Sequence, residues 1–276
     1  MLNTEIGIGV VTLALYTTGD LLIKKPSEKA GSVPVSLVVS ASSAAFLTIL
    51  SFLFYSVIQL ISLVFSIITG IMMGAGTLLV LKSLESEQVS DTISMVAISY
   101  VIPVVFGALV LQENVPGFSL LGIVLIFAGS AVIAFKEMKF NSALLPAVFG
   151  NILWGFQFIT FDYALQYSSN LVVIAATGSV IALLIVFLYA YIKSDFKIKK
   201  PYAIEATLAG IILGLSLSGA LYLVLNHIIT LGLSIVATEP ALVTLFGKLI
   251  YKDRVNTAQI AGVLLAVLGI ILVGYF

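Results

Sequence analysis

The sequence predicts an all-α membrane protein of ten transmembrane helices, arranged as two inverted five-helix repeats. Three observations carry this. Hydrophobic residues make up 61% of the 276-residue chain and charged residues only 9%, against about 25% charged in soluble domains, so no water-soluble fold can hide the apolar surface. The apolar residues fall into stretches close to the ~20 that a helix needs to cross a bilayer. The chain also repeats itself at an offset of 140 residues.

Taken in order, the spans are expected at 6–23, 34–56, 60–81, 92–111, 117–135, 144–165, 170–192, 203–225, 230–250 and 257–275. They are long and continuous, unlike barrel strands, which are ~10 residues of alternating pattern. Met1 to Gly7 lack the basic region of a cleaved signal peptide, so the first span is expected to remain as its own insertion signal. The longest connections lie near Lys24–Val33, Lys82–Asp91 and Lys193–Tyr202 and leave no room for a soluble domain. All 13 basic residues lie in or beside odd-numbered connections. Lys24, Lys25 and Lys29 follow span 1, Lys82 span 3, and Lys136 and Lys139 span 5. Lys193, Lys197, Lys199 and Lys200 follow span 7, and Lys248, Lys252 and Arg254 surround the end of span 9. Basic loops stay in the cytoplasm, so both termini are expected outside a plasma-membrane protein.

The internal repeat sets the domain organisation. Ser94, Val96 and Ala97 align with Ser234, Val236 and Ala237; Phe106, Gly107 and Leu109 with Phe246, Gly247 and Leu249. Val115, Gly122, Leu125 and Gly129 align with Val255, Gly262, Leu265 and Gly269. Gly70 and Gly74 meet Gly210 and Gly214 at the same offset. The halves are expected at 1–139 and 140–276. Each holds five spans, an odd number, so the second enters the membrane upside down, as in many transporters.

Glu239 is the most telling single residue. It lies in the apolar run from Thr230 to Ile250, where a carboxylate costs roughly 2.5–3.5 kcal/mol on insertion scales. Pro240 follows it, and proline removes a helix hydrogen bond and frees carbonyls. Pro103 lies mid-span in the first half, and these two prolines are expected to break or gate their helices. Glu239 is the expected substrate or proton site. Trp154 is the only tryptophan; Asn151, Trp154, Phe158 and Asp162 fall on one helical face. Trp154, Tyr16, Tyr100, Phe158, Asn151 and Gln157 are the expected substrate contacts, with aromatic faces suited to a cation. Asp20 and Asp162 stand near expected span ends, where solvation at the interface is their expected fate. Lys248 is an alternative partner for Glu239.

At this point the chain resembles the drug/metabolite transporter superfamily, EamA type. The resemblance rests on Pro103, Glu113 and Gly122, on Asp253 and Gly262 in the second half, and on Trp154-Gly155. The basic loop that such proteins carry after span 2 is absent at Ser56–Leu60, and Tyr16 stands where the first half would carry Trp-Gly. The resemblance implies a secondary carrier working by alternating access. Amino acids or amines are the favoured cargo, sugars, nucleotide sugars or lipid-linked sugars the alternative.

Other classes find little support. There is no cysteine, no His-Glu-x-x-His and no Gly-x-Ser-x-Gly, and the lone His227 lies in a loop. An intramembrane enzyme is therefore a remote reading, as is a channel, and neither a metal nor a cofactor is expected. A nucleotide-binding Gly-x4-Gly-Lys-Ser/Thr motif is missing, and the zero net charge points to no nucleic-acid partner. The expected partners are a small-molecule substrate and the lipid bilayer, with the protein a monomer or homodimer.

Overall fold

The computed structural model describes residues 2–54, 58–84, 95–134, 145–168, 170–252 and 255–275. Every regular element among them is an α-helix: α1 (Leu2–Ala30), α2 (Ser32–Leu53), α3 (Leu60–Leu84), α4 (Ala97–Leu109), α5 (Gly117–Ala134), α6 (Leu145–Gln166), α7 (Leu171–Lys193), α8 (Lys200–Leu225), α9 (Ile229–Val236), α10 (Glu239–Tyr251) and α11 (Thr257–Tyr275). Eight stretches are long and apolar enough to cross a membrane, with α9 and α10 together forming one of them. Ala97–Leu109 is apolar but shorter. Helix α6 has the length, but Asn151, Gln157 and Asp162 lower its hydropathy. Asp253, Arg254, Lys136, Lys139, Ser56 and the boundary at 139/140 lie outside the described residues.

Two expectations need correction. The first span does not end near residue 23; α1 runs on through Pro26 to Ala30. The connection to α2 shrinks to Gly31, whose φ of +89° is a conformation that side-chain-bearing residues rarely adopt. The ninth span is not one helix either. It breaks at Ala237–Thr238, ahead of Pro240 rather than at it. Pro240 occupies the first turn of α10, where its missing N–H would have had no helical partner. Pro103, by contrast, sits inside an unbroken α4.

Helix packing follows the internal repeat. Helix α3 packs on α6 as α8 packs on α1, and α3 on α7 as α8 on α2. The central pairs α2–α7, α4–α9 and α5–α11 join equivalent elements of the two halves. The α5–α11 crossing shows the inversion directly. Gly122 faces the Gly269 carbonyl and Gly129 the Gly262 carbonyl, so numbers rise along one helix as they fall along the other. Helices that are repeat-equivalent yet antiparallel mean that one half is turned over relative to the other. These glycines brace the bundle within one chain, and Gly70, Gly74 and Gly210 likewise press against the backbone of neighbouring helices.

Candidate functional site

At the break in the ninth span, nearby hydroxyls bond to backbone carbonyls. Ser130 on α5 donates to the Ala237 carbonyl at 3.0 Å, and Thr238 donates to that of Ile235 at 2.6 Å. Glu239 therefore begins α10, where the helix dipole favours an acidic group. The N–H groups of Ala241 and Leu242 turn back to the Thr238 carbonyl, and Pro240 has none. The start of α10 thus presents a carboxyl, with no pair of free N–H donors beside it.

Glu239 is 1% exposed and forms part of the wall of a cavity of about 210 Å³ between the two halves. The Tyr100 hydroxyl donates to its Oε2 at 3.1 Å. Its second partner comes from α1: the Asp20 carboxyl lies within hydrogen-bonding reach of the Glu239 carboxyl. This corrects the expectation of an interfacial Asp20. Because α1 extends to Ala30, Asp20 sits ten residues inside its helix and faces the cavity. Lys248 is exposed and does not serve Glu239.

Tyr16, Tyr100, Trp154, Gln157 and Phe158 all line the same cavity. Tyr16 is hydrogen-bonded through its hydroxyl to Ser216. Trp154 donates from Nε1 to the Met73 carbonyl at 3.2 Å, which fixes the indole plane against α3. Tyr100 and Phe158 pack with ring centroids 6.1 Å apart. Gln157 is 7% exposed, and its Oε1 is a buried acceptor with no protein partner. Among the described residues no lysine or arginine lines the cavity.

Asn151 is placed elsewhere. It is fully buried, its amide donates to the Ala147 carbonyl at 2.9 Å, and it does not line the cavity. Gly150 beside it lies close against Gly76 of α3, so this turn of α6 is taken up by the α3–α6 contact. Asp162 is also buried, at 2% exposed, and accepts from Gln166 Nε2 at 2.8 Å rather than meeting water at an interface. Pro103 reaches the site indirectly. It removes the N–H that would bond the Ser99 carbonyl, and that carbonyl faces Gly155 of α6, where a Cβ would come within 2.9 Å.

The cavity extends toward one end of the bundle. Its lining runs along α1 from Tyr16 to Ser27, along α2 back to Ser36 and along α3 to Val80, toward the odd-numbered connections. At the other end the elements are tied together. Glu113, just after α4, accepts from the Ile229 N–H at 2.8 Å and the Thr230 N–H at 2.7 Å, covering the start of α9. Tyr163 stacks on Phe65 at 5.4 Å and meets Phe106 at 6.4 Å. Sequence reasoning reached Glu113 only through a family pattern and missed Asp20 and Ser130 as site-building residues. A serine beside Gly129 in a helix whose one other polar side chain is Ser119 was the available signal for Ser130.

The chain folds as two halves, one turned over relative to the other, with a cavity between them. The profile of the EamA-like transporter family matches the chain twice, over residues 4–135 and 141–275. The chain belongs to this family, which places it among membrane transporters of the drug/metabolite transporter superfamily. No curated protein matches it. A solved structure titled "Crystal structure of protein" shares 13% identity, with a TM-score of 0.75 over 98% of this chain and 97% of the other; that likeness concerns the fold.

Proposed function

We propose that the protein is a secondary carrier that binds a small amine in the central cavity and releases it on the other side by alternating access. Ten spans cross the plasma membrane in this reading, with the basic odd-numbered connections and the open end of the cavity facing the cytoplasm. The observation that carries it is the Glu239 carboxyl, held at a helix break at the meeting point of the two halves and opening on a cavity walled by aromatic rings. Tyr16, Trp154 and Phe158 offer π-faces to a cation, while Gln157 Oε1 offers an acceptor.

Among the substrates that such families carry, two features favour amines. Anionic nucleotide sugars would meet two carboxyls and, among the described residues, no basic group in the lining. Zwitterionic amino acids would need a receptor for their carboxylate, and the start of α10 has no free N–H pair to serve.

Reconstitution in proteoliposomes tests the reading. Saturable, counterflow-stimulated uptake is expected for organic amines and not for sugars or nucleotide sugars. Loss of the Gln157 acceptor in Gln157→Leu is expected to raise the half-saturation concentration by at least about tenfold, since one hydrogen bond to a charged group contributes about 1.5–3 kcal/mol and each 1.4 kcal/mol is tenfold. Preferential uptake of an anionic sugar derivative would contradict the amine assignment.

A further inference from the structure

We propose that Asp20 and Glu239 form one exchange site, which holds either a single shared proton or one monovalent organic ammonium, and that the protein is an electroneutral proton–amine antiporter. The proposal rests on the carrier reading above and names its coupling. Asp20 comes from α1 of the first half and Glu239 from α10 of the second, so the site spans the two bodies that must move against each other.

The chemistry of the contact enforces exchange. Two carboxyl groups in hydrogen-bonding contact need a proton between them, because two bare carboxylates repel and neither can donate. A monovalent ammonium centre placed between the same oxygens pairs by charge with both carboxylates and takes over the role of that proton, which leaves to cavity water. Proton and cargo therefore compete for one place and cannot ride together. The site's charge is the same either way. With the shared proton the pair carries −1; with both carboxyls ionised and one ammonium bound it carries −2 + 1 = −1. A constant charge matters because moving an additional uncompensated charge through a low-dielectric path is strongly unfavourable.

The charge of the site is set by the groups that face it. The ionisable groups facing Glu239 are Asp20 and Tyr16 from α1 and Tyr100 from α4. Helices α5, α9 and α11 carry no acidic or basic residue. The acids of the flanking helices are engaged elsewhere, Asp162 with Gln166 on α6 and Glu205 of α8 with Lys25. Lys24, one turn beyond Asp20, lies over the Tyr251 ring, 4.7 Å from its centroid, and Lys248 is exposed.

Two measurements test the pair. Infrared difference spectra of the purified protein in lipid at neutral pH should show a protonated-carboxyl band that disappears in both Asp20→Asn and Glu239→Gln. Both substitutions are near-isosteric and replace a shared proton by an amide N–H, so the folded state should persist, as circular dichroism would verify. Wild type without the band, or a band that survives either substitution, overturns the shared proton. In the second measurement, proteoliposomes are loaded in turn with choline, tetraethylammonium and phenethylammonium, and proton entry is followed with a trapped pH dye. Exit of a transported cation should bring in one proton per cation, at a rate unchanged when the membrane potential is clamped. The two variants should lose proton entry by at least about tenfold. A potential-dependent rate, or cation exit without proton entry, overturns the antiport. If the whole cation panel fails while the same vesicles carry a neutral or anionic solute, the exchange site is refuted and the carrier reading stands. If no solute of any class moves, the carrier reading itself falls.

Discussion

Replacing Glu113 by alanine should open the end of the bundle that the wild-type protein keeps shut. The carboxylate accepts two N–H donors in the first turn of α9, at 2.8 and 2.7 Å, and no other group in that turn replaces it. Hydrogen bonds to a charged group contribute about 1.5–3 kcal/mol, helped here by the helix dipole. The contact joins the chain after α4 to the start of α9, elements that belong to opposite halves. If the two halves separate there during transport, the bond exists only in the closed arrangement, and its loss shifts the balance toward the open one by about 10- to 150-fold. A chain without cysteine makes this simple to measure. Val104 is 4% exposed, and its carbonyl accepts from Thr230 Oγ1 at 3.5 Å, so it lies on the seam between α4 and α9. A cysteine at position 104 should resist a membrane-impermeant maleimide with Glu113 present and react at least about tenfold faster in Glu113→Ala. Glu113→Gln, which keeps an acceptor oxygen without the charge, should fall between. Equal labelling in all three would show that Glu113 caps a helix without controlling access.

The largest loss of stability is expected from Gly129→Val or its repeat equivalent Gly262→Val. A Cβ at 129 would lie 2.5 Å from the Gly262 carbonyl oxygen and 2.8 Å from the Ala266 nitrogen; at 262 it would lie 2.7 Å from the Gly129 carbonyl oxygen. Each obstacle is backbone, so no rotamer change relieves it and α5 and α11 must move apart. Membrane helices associate through such close packing, and overpacking of a tight interface costs about 1–3 kcal/mol, with more expected where the backbone itself is displaced. The double substitution should cost less than the sum of the singles, because one separation of the helices accommodates both side chains. Gly117→Ala is the control: nothing lies within 4 Å of its Cβ position, and its stability should be unchanged or slightly raised. Thermal unfolding in detergent reads all four proteins. A Gly129→Val protein as stable as Gly117→Ala would mean that the α5–α11 crossing is looser than the geometry shows.

How far these features could be read from residues alone depends on whether they are local. The repeat was visible because equivalent glycines serve the same close contacts in both halves, so Gly122 and Gly129 recur at one offset as Gly262 and Gly269. The interest of Glu239 was visible because its environment, an apolar run, is written in adjacent residues. Tyr16, Tyr100, Trp154, Gln157 and Phe158 were identified as polar or aromatic groups in apolar spans, and all five line the cavity. The same reasoning misplaced Asn151, since a helical face says which residues align and not whether a neighbour presses flat against them; here α3 does. It misjudged Asp20 through an error in length. The lysines after residue 23 looked like the end of a span, yet α1 continues past them, because Lys24 rests on the Tyr251 ring and Lys25 pairs with Glu205 at 3.9 Å.

By itself the sequence determined the membrane class, the approximate spans, the duplication and the position of one costly acid. Those properties rest on local hydrophobicity and on comparison of the chain with itself. Only the tertiary structure decided what the acid meets. Asp20 lies 219 positions before Glu239 in a 276-residue chain, and Ser130 and Glu113 act on backbone groups more than 100 residues away. Such partners leave no periodic trace in the sequence. They are chosen by how two inverted halves pack, which is also what places a carboxyl pair, rather than a single carboxyl, at the centre of the bundle.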